Sequence, residues 1–217
     1  MSMERPPITP QLRETGVVAI LRAERPDHLE AVGHALAAAG ITCLELTLTT
    51  PGTLQAVTRL RGGLDAGVAL GVGSVLDADG AHAAVDAGAG FLVSPGVCAE
   101  VAVAARARGV PCFPGAFTPT EVLAAWGQGA AAVKLFPAAT GGPRHLRDIR
   151  APLPDIPLVP TGGVALDQIA DYIAAGAAAV GLGGPLIGDA LRGGPAAALR
   201  ERARAALDAV AQARARR

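Results

Sequence analysis

The chain has 217 residues with no formal net charge, and 51% of its residues are hydrophobic while 18% are charged. This composition argues against a disordered chain, and the balanced charge together with 3% aromatic residues argues against a general nucleic-acid-binding surface. No apolar run reaches the ~18 residues of a membrane span and the first residues lack a secretory core, so we expect a cytoplasmic protein with no membrane partner.

A short helix over residues 9–15 is predicted first, as a cap on the elements that follow. Beyond it, apolar strand-like segments alternate with alanine-rich helices, and successive strands begin 20 to 26 residues apart. The predicted strands are Val17–Arg22, Cys43–Thr49, Val68–Val75, Phe91–Pro95, Pro111–Ala116, Ala131–Pro137, Pro157–Thr161 and Ala179–Gly183.

A βα unit that repeats at this spacing is typical of parallel strands joined by crossover helices. Eight such units are the number found in a closed (β/α)8 TIM barrel, so we predict an α/β fold with a single barrel domain over residues 1–217. A doubly wound open sheet is the alternative, although it seldom needs eight units of similar length. The last segment, 195–217, is predicted to be a helix with a solvent-exposed arginine face.

Side chains alternate along a strand, which divides each predicted strand into an inward and an outward face. In the second strand the leucines face the helices, whereas Glu45, Thr47 and Thr49 face inward. Arg22 ends the first strand on its inward face, at the rim where barrel active sites form. The structural alternative for Arg22 is a contact with the C-terminus of a helix.

Lys134 is the only lysine in the chain, and it shares the inward face of the sixth strand with Phe136. Burying an ammonium group without a partner is costly, whereas a desolvated neutral amine is what imine-forming catalysis needs. Two structural alternatives stay open. The side chain can extend to solvent from a strand end, or it can form a buried ion pair with Glu45.

Glycine pairs follow the last two predicted strands, in Thr161-Gly162-Gly163 and in Gly183-Gly184. Backbone N–H groups can approach an anion closely at such positions, and the loops after strands seven and eight are the usual phosphate site of barrels. Tight turns use glycine pairs as well, and that interpretation stays open.

The cysteines and histidines show no pattern of metal ligands. Cys43, Cys98 and Cys112 are odd in number and lack metal-ligand spacing, so we expect small apolar side chains in a reducing cytoplasm. The four histidines fall on predicted helices and form no cluster. We therefore predict no metal site.

With these residues in place, the sequence resembles the class I aldolases that act on 2-keto-3-deoxy-6-phosphogluconate (KDPG) and 4-hydroxy-2-oxoglutarate (KHG). The family includes a branch that acts on the galactonate analogue (KDPGal). The resemblance covers nearly the whole chain. It is carried by Val18-Ala19-Ile20-Leu21-Arg22, Leu44-Glu45-Leu46-Thr47-Leu48, Gly71-Val72-Gly73-Ser74-Val75-Leu76, Ser94-Pro95-Gly96, Phe113-Pro114-Gly115, Lys134-Leu135-Phe136-Pro137-Ala138 and Pro160-Thr161-Gly162-Gly163-Val164.

The resemblance implies that Lys134 forms a Schiff base with a 2-oxo acid while Glu45 transfers protons. It also implies a homotrimer, no cofactor, and two small-molecule partners, a keto-deoxy sugar acid and pyruvate. Together with the inward positions above, it implies a substrate-binding set made of Arg22, Thr47, Thr49, Ser74, Pro95, Phe136, Thr161, Gly162, Gly163, Gly183 and Gly184.

Two positions depart from the family pattern. Many KDPG-cleaving members carry an arginine where this chain has Thr49, so Arg22 would hold the pyruvyl carboxylate instead, as in the galactonate branch. The loop after the eighth strand commonly carries a serine where this chain has Gly184, and the next residue, Pro185, has no N–H to donate.

The predicted reaction is cleavage of KDPG or KDPGal to pyruvate and glyceraldehyde 3-phosphate. Three alternatives remain at this point. The substrate can be a shorter or non-phosphorylated 2-oxo acid such as KHG. The protein can be a different phosphate-binding isomerase or synthase in which Lys134 only binds an anion. It can also be a non-catalytic sugar-phosphate-binding protein.

Overall fold

The computed structural model describes residues 5–216. Short parallel strands alternate with helices along the chain, in the order that the apolar segments predict. The strands are β1 Val17–Leu21, β2 Cys43–Thr47, β3 Ala69–Gly73, β4 Leu92–Val93, β5 Cys112–Phe113, β6 Gly115–Ala116, β7 Val133–Leu135, β8 Leu158–Pro160 and β9 Val180–Leu182. The helices are α1 Pro10–Thr15, α2 Leu29–Ala38, α3 Thr53–Gly63, α4 Ala78–Asp86, α5 Ala99–Ala107, α6 Pro119–Gly127, α7 Ala138–Arg150, α8 Ile169–Ala174, α9 Gly184–Ile187 and α10 Ala196–Ala215, with 3-10 turns at Leu166–Gln168 and Ala190–Arg192.

The strands form a curled parallel sheet in two parts. Six strands pair in the order β5-β4-β3-β2-β1-β9, and three pair in the order β6-β7-β8. The predicted fifth strand is divided into β5 and β6 at Pro114, which has no N–H for a sheet ladder. An isolated parallel bridge between Thr161 and Gly181 joins the end of β8 to β9.

The two faces of the strands enter two separate apolar clusters. Val17, Ala19 and Leu21 of β1 pack in the cluster that contains the helices, as the alternation predicts. Val18 belongs to a second cluster, made mainly of residues in the strands or directly before them, which fills the inside of the curled sheet. Leu12 of α1 is buried in this inner cluster, so the N-terminal helix closes one end of it, at about 1.5–3 kcal/mol of burial free energy.

The predicted strands are longer than the observed ones: six begin one or two residues too early, and seven end one or two residues too late. Arg22 and Phe136 lie one position beyond β1 and β7. The strand predicted to run to Thr49 ends at Thr47, and Thr49 lies exposed in the turn that follows. The side-chain positions at this end of the sheet therefore depend on the loops rather than on strand alternation.

The last helix covers Ala196–Ala215, and Arg217 of the predicted segment lies outside the described residues. Its arginine face is not wholly solvated, because Arg202 and Arg214 bind main-chain carbonyls of other segments. Arg214 donates to the Glu14 and Ala178 carbonyls, at 2.7 and 3.1 Å. None of the helices between residues 5 and 216 combines the length and apolar character needed to cross a membrane.

Candidate active site

Lys134 occupies the middle of the three-residue strand β7, with Val133 and Leu135 packed on the opposite face against the helices. Its side chain is 8% exposed, so the amine lies inside the curled sheet. The Nζ atom is 3.9 Å from Oε1 of Glu45, which brings the lysine of β7 and the carboxylate of β2 together across the interior. The predicted meeting of these two side chains is therefore present.

The Lys134–Glu45 pair is a charge contact without a hydrogen bond, because 3.9 Å exceeds hydrogen-bond length. Glu45 Oε1 is completely buried and has no hydrogen-bond partner among the described residues. A buried acceptor without a partner is unfavourable unless another molecule supplies the donor. The geometry is thus looser than that of a structural ion pair and leaves a polar oxygen available to a ligand or water.

Burial raises the pKa of the Glu45 carboxyl, while the positive charges of Lys134 and Arg22 act in the opposite direction. The carboxyl fits between the strands because residue 73 of β3 is glycine, and a Cβ there would collide with the Glu45 side chain. A carboxyl group with a raised pKa binds and releases protons nearer to neutrality, as general acid–base catalysis requires.

Arg22 stands at the end of β1, and its Nη2 atom donates a hydrogen bond to Oγ of Ser74 at 3.3 Å. Ser74 follows β3 in the left-handed region, with φ of 60°, where residues other than glycine are uncommon and often belong to functional sites. Within residues 5–216 the Arg22 side chain therefore contacts a strand-end serine and not the C-terminus of a helix.

Lys134 and Arg22 border a cavity of about 290 Å³ at the carboxyl ends of the strands. Its charged lining residues are all cationic, since it contains two arginines and one lysine and no described acidic residue. The cavity is lined by Ile20, Arg22, Lys134, Phe136, Thr161, Gly162, Gly163, Gly183, Gly184, Pro185, Ile187, Gly188, Leu191 and Arg192. A concave surface with this charge is suited to an anionic small molecule.

One wall of the cavity is aromatic. The Phe136 ring centroid lies 5.3 Å from Lys134 Nζ, so the ring shields the amine from bulk water. The ring packs against Gly162, which has a φ of 90°, a conformation that favours glycine. A Cβ at position 162 would collide with the ring. Thr161 is buried beside it and donates to the carbonyl of Val159 at 3.2 Å.

Eight of the thirteen residues predicted to act in the site line this cavity, and five do not. Glu45 lies beneath it, next to Lys134, and Ser74 is linked to it through Arg22. Thr47 is buried and lies 3.0 Å, hydroxyl to hydroxyl, from Thr49, which lines a neighbouring outer cavity. Pro95 is exposed and is not a lining residue of the cavity.

The segments after the glycine pairs do not begin with a long helix whose N-terminus could face an anion. The chain after Gly162-Gly163 enters a 3-10 turn, Leu166–Gln168, before α8 begins. The helix after Gly183 spans four residues and begins at Gly184, with proline at its second position. Such short helices contribute little dipole, so an anion here depends on main-chain N–H groups and nearby cationic side chains.

Sequence reasoning missed Ile187, Leu191 and Arg192, which form the wall contributed by the segment after β9. No motif marks these positions, and only their place after the last strand of a parallel sheet indicates a rim location. Arg202 of α10 holds this wall in place by donating to the carbonyls of Leu186 and Ile187, at 2.6 and 2.9 Å.

Comparisons with known proteins give matches over most of the chain. The family model described as KDPG and KHG aldolase matches residues 8–195. A probable 2-dehydro-3-deoxy-6-phosphogalactonate aldolase of Rhizobium meliloti is 37% identical over 208 residues, which cover 95% of this chain and 96% of that protein. A 2-dehydro-3-deoxy-phosphogluconate aldolase of Pseudomonas aeruginosa is 39% identical over 163 residues, covering 75% of this chain and 74% of that protein.

Among solved structures, a KDPG aldolase from Legionella pneumophila superposes with a TM-score of 0.83 at 28% sequence identity. The match covers 90% of this chain and 96% of that one. That protein was captured with pyruvate at low pH as a covalent carbinolamine intermediate. A carbinolamine forms when an amine adds to a ketone, which is the chemistry that a buried lysine in a cationic cavity permits.

Proposed function

Because the chain belongs to the KDPG and KHG aldolase family, we propose that it is a class I aldolase that cleaves a 2-keto-3-deoxy-6-phospho sugar acid. It is a carbon–carbon lyase, and its products are pyruvate and glyceraldehyde 3-phosphate. One observation carries the mechanistic part of the proposal. The single lysine of the chain is buried 3.9 Å from a buried carboxyl oxygen that lacks a hydrogen-bond partner.

The first stage of the reaction is imine formation at Lys134. After Lys134 gives up its proton, the Nζ atom attacks the C2 carbonyl carbon of the substrate, and the resulting carbinolamine loses water to give an iminium ion. Phe136 beside the amine limits the access of bulk water to this ion. Glu45 is close enough to Nζ to donate the proton that the departing hydroxyl needs, directly or through one water.

In the second stage Glu45 accepts the proton of the C4 hydroxyl group, and the C3–C4 bond breaks. The electron pair of that bond moves into the iminium, which becomes an enamine, while the C4 fragment leaves as an aldehyde. Protonation of the enamine at C3 and hydrolysis of the imine then release pyruvate and restore the free lysine. No oxidant or metal is needed to balance these steps.

The cationic lining supports recognition of an acid at the pyruvyl end of the substrate. Arg22, held by Ser74, is the residue that we assign to the carboxylate, because Thr49 offers no charge. Thr47, Pro95 and the glycine loops complete the proposed binding set. Their roles remain part of the proposal.

A shorter substrate, 4-hydroxy-2-oxoglutarate, is the second candidate. The observation that favours it is the turn after β9, where Gly184 has no side chain and Pro185 has no N–H, so this turn offers fewer donors to a phosphate.

We also propose that residues 1–217 form one closed (β/α)8 barrel domain. The bridge between Thr161 and Gly181 supports closure on one side. On the other side, the N–H of Ala131, just before β7, donates to the Cys112 carbonyl, and the N–H of Lys134 in β7 donates to the Pro114 carbonyl, both at 2.9 Å. We expect the amides at these two junctions to be protected from hydrogen exchange to the same degree as the amides of β1 and β2.

A homotrimer in the cytoplasm completes the proposal. Leu76, Val103 and Leu123 are large apolar side chains that are more than half exposed, which is consistent with contacts between subunits. The three free cysteines are consistent with a reducing compartment. Sedimentation equilibrium is expected to give three times the chain mass of 21.6 kDa.

Borohydride reduction in the presence of pyruvate tests the imine mechanism. We expect a stable adduct of about 72 Da, because reduction of the imine fixes the pyruvyl carbons to the amine. Since Lys134 is the only lysine, a digest needs only to separate its peptide from the N-terminal amine. Lys134→Arg keeps the positive charge and cannot form this adduct, so retained turnover in that variant would disprove the mechanism.

A further inference from the structure

Arg192 is an arginine of the cavity wall for which the reaction described above has no role. It ends the 3-10 turn Ala190–Arg192 after β9, and it lines both the 290 Å³ cavity and an outer cavity of about 920 Å³ that adjoins it. Its side chain is exposed, and it forms no hydrogen bond or ion pair with any residue in the range 5–216. Its charge is therefore available to a ligand.

Other arginines near these cavities have partners. Arg25, which lines only the outer cavity, pairs with Asp27 at 2.8 Å. Arg22 is bound to Ser74, and Arg202 is bound to two main-chain carbonyls. Arg192 thus differs from them because its guanidinium donors have no partner among residues 5–216 while it lines a concave surface, and that combination favours an anion.

The proposed substrate carries two anionic groups, and Arg22 can hold only one of them. Arg22 follows β1, beside the Lys134–Glu45 pair, so it is placed for the carboxylate next to the reacting ketone. Arg192 belongs to the segment that follows β9 and shares its cavity wall with Gly183 and Gly184. This segment lacks a hydroxyl donor at Gly184, so a guanidinium group here supplies donors that the turn does not.

We propose that Arg192 is a substrate-binding residue that holds the anionic group at the far end of the substrate. That group is a phosphate monoester or a terminal carboxylate, and both match the planar donor pattern of a guanidinium group. The inference rests on the proposed aldolase function and assigns it a second cationic contact. It makes the distal anion, rather than the sugar hydroxyl groups, the main determinant of affinity on this side of the cavity.

Replacing this side chain leaves its surroundings intact. The main-chain N–H of Arg192 donates to the Asp189 carbonyl at 2.8 Å, and the neighbouring wall is fixed by Arg202. An alanine at position 192 therefore removes the guanidinium group without removing a hydrogen bond of the folded chain. Effects on catalysis can be assigned to the lost charge.

The test compares Arg192→Ala with the unaltered enzyme on three substrates: KDPG, its non-phosphorylated analogue 2-keto-3-deoxygluconate, and KHG. For the substrates with a distal anion we expect KM to rise roughly 10- to 100-fold with kcat nearly unchanged, as for loss of a charge-assisted contact. The analogue without a distal charge should show no change in kcat/KM. Arg192→Lys should recover part of the loss, and pyruvate trapping on Lys134 should be unaffected.

Arg25→Ala is the matched control, because it removes an arginine of the outer cavity whose charge is already balanced by Asp27. Equal effects of the two alanine variants, or an equal loss on charged and uncharged substrates, would overturn the inference. A loss for KDPG alone identifies the distal group as phosphate, and a loss for KHG alone identifies it as carboxylate. If the unaltered protein neither traps pyruvate nor cleaves any of the three, the proposed function fails and this inference fails with it.

Discussion

At the level of single residues, Glu45 combines two properties that are unfavourable for stability. Its carboxyl is buried, and one of its oxygens has no hydrogen-bond partner within residues 5–216. The nearest positive charge is 3.9 Å away, which is too far for a hydrogen bond to offset the loss of hydration. A residue kept in this condition is better explained by proton transfer than by its contribution to folding.

Glu45→Gln tests this role directly. The amide keeps the shape of the side chain but cannot accept a proton, so we expect kcat to fall by about 10²- to 10⁴-fold, the usual range for general acid–base catalysis. Slow trapping of pyruvate on Lys134 should persist, because the amine remains. Glu100→Gln, on the exposed side of α5, is the control and should retain full activity. Unchanged kinetics in Glu45→Gln would remove this residue from the mechanism.

At the level of secondary-structure elements, β3 makes room for the site because it has a glycine, with no side chain, at position 73. Gly73 pairs with Thr47 in the parallel register, and a side chain at position 73 would enter the volume that the Glu45 carboxyl occupies. In β9, Gly181 leaves the equivalent space for Thr161. Glycine weakens a strand, so these positions indicate that room for an interior polar side chain outweighs strand stability here.

Gly73→Ala is therefore expected to displace the Glu45 carboxyl. Because displacement of a catalytic group by about 1 Å can cost 10²-fold, we expect kcat to fall roughly 10- to 100-fold. Overpacking should also lower the free energy of unfolding by about 1–3 kcal/mol. Steady-state kinetics and chemical denaturation measure the two effects.

Gly62→Ala in α3 is the matched control, since a Cβ there meets nothing within 4 Å. In a helix this change should raise the free energy of unfolding by roughly 0.5–1 kcal/mol, with unchanged kcat. A Gly73→Ala variant with full activity would contradict this prediction, because it would show that the Glu45 carboxyl can shift to another position without loss of function.

At the level of the whole molecule, the fold places the amine of Lys134 and the carboxyl of Glu45 within an apolar interior. The inner cluster around them contains side chains such as Phe91, Phe113 and Val159 and provides no hydrogen bonds to either group. Because burial raises the pKa of Glu45, the folded protein holds the proton of this carboxyl more tightly than the unfolded chain does.

The contribution of Glu45 to stability is therefore complete below its ordinary pKa, near 4.5, and is lost as the pH rises through the raised pKa of the folded state. We expect Glu45→Gln, which cannot ionise, to gain in free energy of unfolding relative to the unaltered protein as the pH rises from about 4.5 to 8. Denaturant titrations of both proteins across this pH range measure the difference between their free energies of unfolding. The contributions of the other carboxyl groups are the same in both proteins and cancel in this difference. A difference that is flat or of opposite sign would contradict the raised pKa.

Individual residues show where the alternation of side chains along a strand predicts the side-chain direction correctly and where it does not. Val18, Glu45 and Lys134 each lie on the interior side, because two-residue periodicity fixes the face once a strand is identified. The same rule was wrong for Thr49, since the strand ends at Thr47 and the turn sets the direction of later residues. Arg192 follows no periodic element, so no pattern could have indicated it.

By itself, the sequence determined the alternating α/β architecture, the family, and the pairing of the lone lysine with Glu45, because apolar periodicity and rare charged residues in buried strands are local signals. Only the tertiary structure decided three further features: the 3.9 Å separation without a hydrogen bond, the room that Gly73 leaves for the carboxyl, and the place of Arg192 in the cavity wall. These features depend on distances between segments far apart in the chain, and such distances are set by how strands and loops pack together.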